Sequence, residues 1–446
     1  MRKFTLGLVF LIFAFSLQAQ QVSEKQDLTI FDISFYGPNI DRRLVEGVDA
    51  RIRQVFINLG RFNVIGLTYR LDAVNVEDFL AKIRAAKEAN TYIPIQFQTG
   101  QALFTEAEYN KLINSFILVI PQINDFSVEK LINNYVVTIS TSFTVIDART
   151  MRAIKEIVIE TRGTGNNESD ARREAINAIV PQLKFEIRSI PQFQIRSGIL
   201  ETTFGQVIIE RGKDIGITVG DEYVIQRKST VAGFENVEET GLIIIKDVQE
   251  KFSRGVVIYG NPEVGDPVLE LPRLGIDIVP YLTIGSRSLL DKGNLSNKEA
   301  NSQVFNIGLK GIGTRGFFDV RPAVIIEYTQ ADLGFLGFFF IPINAWLGAE
   351  YTLYLNRITL NPGVLIGATG LYFIWDDADD PLTYSHFGVQ TRMNASFLLG
   401  RDFKLGGTAG ARFMLGIFPG SSSSILNDYL SSYTMVDLGL ELTFKY

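Results

Sequence analysis

From about Leu274 to Tyr446 the chain alternates apolar and polar residues with a period of two. The closing stretch "DLGLELTFKY" does so most regularly. Tyr446, Phe444, Leu442, Leu440, Leu438 and Val436 share one face, and Lys445, Thr443, Glu441, Gly439 and Asp437 share the other. A period of two sends these sets to opposite sides of a β-strand. Taken alone, that strand fits the half-buried edge of a soluble sheet as well as the wall of a barrel. Eight alternating stretches follow one another, at roughly 274–288, 303–315, 317–330, 337–355, 357–375, 385–400, 403–418 and 433–446. Tight turns are expected near Arg315-Gly316, Asn356-Arg357 and Gly400-Arg401-Asp402. Longer polar loops are expected at about 289–302, 376–384 and 419–432, with a shorter one near 331–336. An even strand number, with short turns at one end and longer loops at the other, is the pattern of a transmembrane β-barrel. A closed barrel satisfies every backbone group without water, so its outer face can be uniformly apolar.

The polar face of the same strands then points into the barrel. The expected lumen charges are Asp277, Lys310, Asp319, Arg321, Glu327, Glu350, Arg392, Lys404, Arg412, Asp437 and Glu441. Eight strands leave an interior just wide enough for side chains to fill. Mixed charges facing one another there should pair into a polar plug, so the barrel is expected to be an anchor and not a channel. The only histidine, His386, is expected at the barrel rim.

Upstream the period changes. "NIDRRLVEGVDARIRQVFINLG" places Ile40, Leu44, Val48, Ile52, Val55 and Leu59 at helical spacing, with Asn39 as the expected cap and Gly60 as the stop. "LTIFDISF" before it and "RFNVIGL" after it read as strands, and "NVEDFLAKIRAAKEAN" as a helix. Three strand-like runs follow, "SFILVIPQINDFSV", "NYVVTISTSFTVIDART" and "MRAIKEIVIETRG", and "ESDARREAINAIVPQLKFEI" closes the region as a helix. This mixture predicts an α+β or α/β sandwich over residues 20–195 with its own core. The glycine-containing "TRGTGNNESD" before the last helix has two readings. A phosphate cradle would use the helix N-terminus, but no Lys-Ser/Thr follows the glycines. A turn whose Asn or Ser caps the helix needs nothing further. Residues 196–272 contain short strands punctuated by Lys213-Asp214, Gly220-Asp221 and Gly265-Asp266, and predict a small all-β unit. The chain is thus expected to be multidomain: 1–19, 20–195, 196–272 and 273–446.

Composition narrows the function classes. The N-terminus "MRKFTLGLVFLIFAFSLQAQQ" has Arg2 and Lys3, an apolar run from Leu6 to Leu17, and Leu17-Gln18-Ala19, which fits a secretory signal peptide cleaved after Ala19. The net charge of −6 has no polybasic block behind it, so nucleic acid is not an expected partner. With no cysteine and one histidine, disulfides, thiolate metal sites and multi-histidine sites are excluded. Neither a catalytic constellation nor a cofactor or metal site is expected. Asp376, Asp377, Asp379 and Asp380 in "WDDADD" offer carboxylates for a divalent cation, or simply a solvated loop.

The final strand, with Tyr446, Phe444, Leu442 and Leu440, resembles the C-terminal signature of outer-membrane proteins. That resemblance implies recognition by the barrel-assembly machinery and a setting in outer-membrane lipid. Residues 59–65 "LGRFNVI", 116–126 "FILVIPQINDF" and 142–156 "SFTVIDARTMRAIKE", with the pair Gly163 and Gly165, resemble the CsgG-like periplasmic domain of curli-secretion proteins and the middle part of FlgT. The unit at 196–272 is similar to the SH3-like module of FlgT-type proteins. Curli-secretion channels are lipoproteins whose subunits donate hairpins to a shared barrel. This chain has no lipid-bearing cysteine and carries a barrel of its own. The resemblance implies a non-enzymatic outer-membrane protein with periplasmic domains that bind a protein assembly or peptidoglycan. The alternative is an oligomeric outer-membrane transport or secretion component.

Overall fold

The computed structural model describes residues 22–35, 40–65, 116–150, 152–290, 301–331, 340–373, 382–416 and 431–446. The expected signal peptide, the expected helix in 75–90 and the "WDDADD" carboxylates lie outside the described residues.

The first unit runs β1 (Gln26–Ile30), β2 (Ser34–Phe35), α1 (Arg42–Asn58), β3 (Phe62–Ile65), β4 (Phe116–Lys130), β5 (Tyr135–Asp147), β6 (Arg152–Gly165) and α2 (Glu168–Arg188). Its sheet has the order β3-β1-β4-β5-β6, with β2 beside β4. β1 is parallel to β3 and β4, whereas β4, β5 and β6 are antiparallel. Asp41, not Asn39, caps α1, its Oδ1 accepting from the Leu44 N–H at 2.7 Å. Helical spacing on α1 buries Leu44, Val48, Ile52 and Val55, and on α2 it buries Ala171, Ala175, Ile179, Leu183 and Ile187. These stripes meet the inner faces of β4, β5 and β6 in one apolar core. The alanines bring α2 close to the sheet: a Cβ on Gly163 would collide with the Ala171 carbonyl oxygen. The "TRGTGNNESD" stretch continues β6 to Gly165 and then caps α2, the Asn167 side chain accepting from the Asp170 N–H at 2.9 Å.

The second unit is a closed six-stranded barrel. Its strands are β7 (Arg196–Thr203), β8 (Gln206–Ile209), β9 (Glu222–Val231), β10 (Phe234–Val248), β11 (Ser253–Tyr259) and β12 (Pro267–Leu271), in the order β10-β11-β8-β7-β12-β9. Isoleucines and valines from alternate positions fill it.

The third unit is the eight-stranded barrel expected from the period of two. Its strands are β13 (Ile276–Leu289), β14 (Asn301–Gly313), β15 (Val320–Ala331), β16 (Phe340–Tyr351), its short continuation β17 (Leu353–Leu355), β18 (Ile358–Phe373), β19 (Leu382–Leu398), β20 (Phe403–Gly416) and β21 (Tyr433–Lys445). Sequential neighbours pair antiparallel, and β13 pairs with β21 to close the wall. The three tight turns lie at one end, between β14 and β15, β17 and β18, and β19 and β20. The alternation sorts as the physics of a bilayer demands. Ile284 (68%), Leu440 (67%) and Leu438 (65%) are largely exposed outward, while Asp437 and Glu441 on the same strand as those leucines are buried inward. The opening pattern of the last strand is thereby explained: its apolar face is the outer wall. Among the described residues no helix is long and apolar enough to cross a membrane.

Candidate functional site

The interior of the eight-stranded barrel is filled by its own charges. Arg412 donates to Glu327 at 2.6 and 3.2 Å and to Asp437 at 2.9 Å. Arg392 lies 3.7 Å from Glu327 and 3.6 Å from Asp437, with its guanidinium 4.2 Å over the Tyr281 ring. The Tyr281 hydroxyl and the Asn344 amide also donate to Glu327, at 2.7 and 3.0 Å. Nearer the turn end, Lys310 bridges Glu350 at 2.9 Å and Glu441 at 3.4 Å, and Asn394 donates to Glu350 at 2.9 Å. In a lumen this narrow each of these charges has an opposite partner at contact distance, as a buried charge requires.

Ten of the expected lumen residues are buried: Asp277, Lys310, Arg321, Glu327, Glu350, Arg392, Lys404, Arg412, Asp437 and Glu441. Arg321 bonds the Tyr354 hydroxyl at the turn end. Asp319 is the exception. It falls in the turn before β15 and is half-buried, and its carbonyl accepts from the Thr352 N–H at 2.7 Å. Strand alternation cannot be extrapolated through a turn, so the period of two does not assign a side to this residue. His386 lies within β19 opposite Gly416, the last residue of β20, buried, with its ring 5.1 Å from that of Tyr433 at the start of β21. Of the C-terminal signature residues, Tyr446, Phe444, Leu442 and Leu440 all face outward.

The turn end of the barrel is covered. Val219, Val224, Leu242, Ile244 and Ile258 of the six-stranded barrel pack on Phe318, Leu398 and Tyr354. Each tight turn is engaged: the Gly316 N–H donates to the Val219 carbonyl at 2.7 Å, Arg357 lies 4.1 Å over the Tyr259 ring, and Arg401 pairs with Glu239 at 2.7 Å.

Beneath that cover runs a second buried ionic network, which joins all three units. Glu270 of β12 accepts from Arg61 at 2.7 and 3.1 Å, from Arg188 at 2.6 Å, and from the Ile195 N–H at 2.9 Å. Arg61 sits between α1 and β3, and Arg188 ends α2, so one carboxylate holds both ends of the first unit. Arg188 continues to Asp221 at 3.0 Å, and Asp221 lies 3.1 Å from Arg315, in the β14–β15 turn. Glu222 pairs with Lys445 at 2.6 Å and with Arg273 at 3.3 Å, and Arg273 reaches Asp402 at 2.6 Å. Burial pushes the Glu270 carboxyl up, but the guanidiniums of Arg61 and Arg188 outweigh it and hold the group at about 2. Glu222 shows the same balance: burial raises it, and Lys445 and Arg273 bring it below its ordinary value. Backbones touch here as well. A Cβ on Gly216, whose φ is +82°, would collide with the Leu59 carbonyl oxygen, so only glycine fits.

None of Arg61, Arg188, Asp221, Glu222, Glu270, Arg273 and Arg315 emerges from the sequence reading as a site residue. One local signal existed: Glu270 shares the buried face of β12 with Val268, a charge on an otherwise apolar face. Among the described residues no group of acidic or histidine side chains could hold a metal ion. A depression of about 700 Å³ lies on the outer wall of the barrel, bordered by Val320, Ala349, Val364, Met393 and Ala411. Glu350 and Arg392 also border it, and both are engaged by the lumen network described above.

No protein-family model matches the sequence, and no curated protein matches it. Solved structures to which the chain is similar include Neisserial surface protein A (10% identity, TM-score 0.30, covering 39% of this chain and 97% of that one). They also include lipoprotein GNA1162 from Neisseria meningitidis (14%, 0.21, 35% and 97%) and a major outer membrane protein from Thermus thermophilus (13%, 0.20, 38% and 99%). The closed eight-stranded wall, apolar outside and charged within, is the arrangement of a membrane-spanning β-barrel.

Proposed function

We propose that the chain is a non-enzymatic outer-membrane protein whose barrel anchors two periplasmic units in a fixed orientation, where they bind or scaffold an envelope assembly. In this reading the first unit is the CsgG/FlgT-like domain and the six-stranded barrel is the SH3-like module. The partner is a periplasmic protein complex or peptidoglycan. One observation carries the proposal: the turn end of a charge-filled barrel is covered by the six-stranded barrel and locked to it through the Glu270, Asp221 and Glu222 network. A channel needs an open lumen and an open mouth. A tether needs neither, but it gains from a rigid joint, because a fixed joint sets where the attached units point.

The test combines native mass with conductance. Full-length protein extracted in mild detergent should run as a single subunit, alone or with a co-purifying partner, and should give no channel steps in a planar bilayer. A symmetric oligomer that conducts ions would overturn the anchor and bring forward the secretion-component reading.

A further inference from the structure

The path of β10 across the covered end of the barrel points to a second membrane contact. On one side, Lys246 of β10 places its Nζ 5.5 Å over the ring of Phe318, in the β14–β15 turn. On the other, Glu239 of β10 pairs with Arg401, in the β19–β20 turn, at 2.7 and 2.9 Å. Between these points Leu242 and Ile244 pack into the apolar cluster beneath the mouth. Around the wall those two turns are separated by β15, β16, β18 and β19 on one side and by β20, β21, β13 and β14 on the other. They are diametrically opposed, so β10 lies along a diameter of the mouth, in the plane of the bilayer.

The strand does not stop at the wall. Past Glu239 it continues as a ribbon with β9 alone, pairing Val237 with Lys228 and Phe234 with Val231. The third strands end earlier: β11 pairs with β10 only over Leu242–Val248, and β12 pairs with β9 only over Glu222–Ile225. At about 3.3 Å per residue, the tip lies roughly 20 Å beyond the Arg401 contact. The line therefore passes outward under the bilayer that surrounds the barrel. The tip turns through Ala232 (φ +53°) and Gly233 (φ +87°), the two-residue geometry of a tight hairpin. It exposes Phe234 (77%) beside its cross-strand neighbour Val231 on one face of the ribbon, and Val237 on the other. A two-stranded ribbon with an apolar tip is marginal in water, and aromatic residues are favoured at the membrane interface.

We propose that residues 226–239 form a membrane-contacting arm whose tip enters the headgroup–acyl boundary of the leaflet on the turn side. The occupant of this apolar tip is lipid, and the arm fixes the rotation and tilt of the capping unit against the bilayer. The inference rests on the reading of the eight-stranded barrel as membrane-spanning, and its test separates the two. A matched control exists on the same unit. Phe204, at the β7–β8 turn, is fully exposed, but β7 and β8 lie across the six-stranded barrel from β9 and β10.

Because the chain contains no cysteine, Phe234→Cys, Phe204→Cys and Ile284→Cys each introduce one nitroxide attachment point. The full chain, reconstituted into phosphatidylethanolamine/phosphatidylglycerol vesicles, is probed for spin-label collisions with oxygen, which partitions into lipid, and with a water-soluble nickel chelate. Labels at 284 and 234 should both favour oxygen, with nickel collisions at 234 several-fold below those at 204. A 234 label as accessible to nickel as 204, with 284 still favouring oxygen, overturns the arm and leaves the barrel standing. A 234 label shielded from both reagents also overturns it, because protein and not lipid then covers the tip. A water-exposed 284 label would overturn the membrane barrel itself.

Discussion

Two buried ionic networks lie a short distance apart along the axis of this molecule, and they are built on different principles. The lumen network spreads its charges over many strands, and its members share partners: Arg412 touches both Glu327 and Asp437, and Glu327 is reached by Arg412, Arg392, Tyr281 and Asn344. The junction network funnels two units through single groups. Glu270 is the carboxylate that Arg61 contacts and one of two that Arg188 contacts. Redundancy suits a plug that only has to remain filled. Concentration suits a joint, where geometry must be set and every contact counts. Burying charge is costly in either place, and removing one partner of a buried pair costs far more than the pair contributes.

The sharpest way to break the comparison is therefore at the joint. Glu270→Ala leaves Arg61 and Arg188 facing each other without their shared carboxylate, at a cost of about 3–5 kcal/mol. The first unit should come loose from the six-stranded barrel before either unfolds. Limited proteolysis of the full chain in detergent should then cut near residues 189–196 faster than in the wild type, where Ile190, Phe193 and Ile195 are buried. An unchanged digestion pattern and unfolding midpoint would mean that apolar packing, and not charge, makes the joint.

Acid acts on the same group more gently. Its folded-state value of about 2 lies below the ordinary 4.5. A depressed carboxylate contributes stability that is present above the unfolded value and is lost as pH falls through the folded one. The window is therefore about pH 4.5 down to 2, and the depression is worth about 3 kcal/mol for this fully buried group. The urea midpoint of the joined units should fall across that window, and Glu270→Gln should remove most of the dependence.

The two networks also differ in how far the sequence discloses them. Lumen charges are legible because a strand has one simple rule: alternate residues face alternate sides, so Asp437 and Glu441 are inward once Leu438 and Leu440 are outward. The rule ends where the strand ends, as Asp319 shows. The junction obeys no local rule. Arg61 follows a helix, Arg188 closes another, Asp221 sits in a turn, and Glu270 lies in a five-residue strand; they meet only because two units are docked. The free part of the β9–β10 hairpin escapes for a related reason: its residues lack the apolar alternation of a buried strand, and it is held by one partner strand alone.

Asp437→Ala sharpens the comparison from the lumen side. Arg412 would lose its 2.9 Å contact yet keep the two bonds to Glu327, and Arg392 would keep Glu327 and the Tyr281 face. The remaining partners limit the cost to about 1–3 kcal/mol, in the range of one lost charged hydrogen bond and below that of an orphaned charge. The temperature at which the folded barrel loses its characteristic electrophoretic mobility should drop by a few degrees, and the proteolysis pattern of the joint should not change. Equal losses in Asp437→Ala and Glu270→Ala would show that sharing partners confers no protection. A smaller loss in the lumen, with the joint intact, would show that the barrel tolerates missing charges because each has a second neighbour, whereas at the joint Arg61 depends on the Glu270 carboxylate that two arginines share.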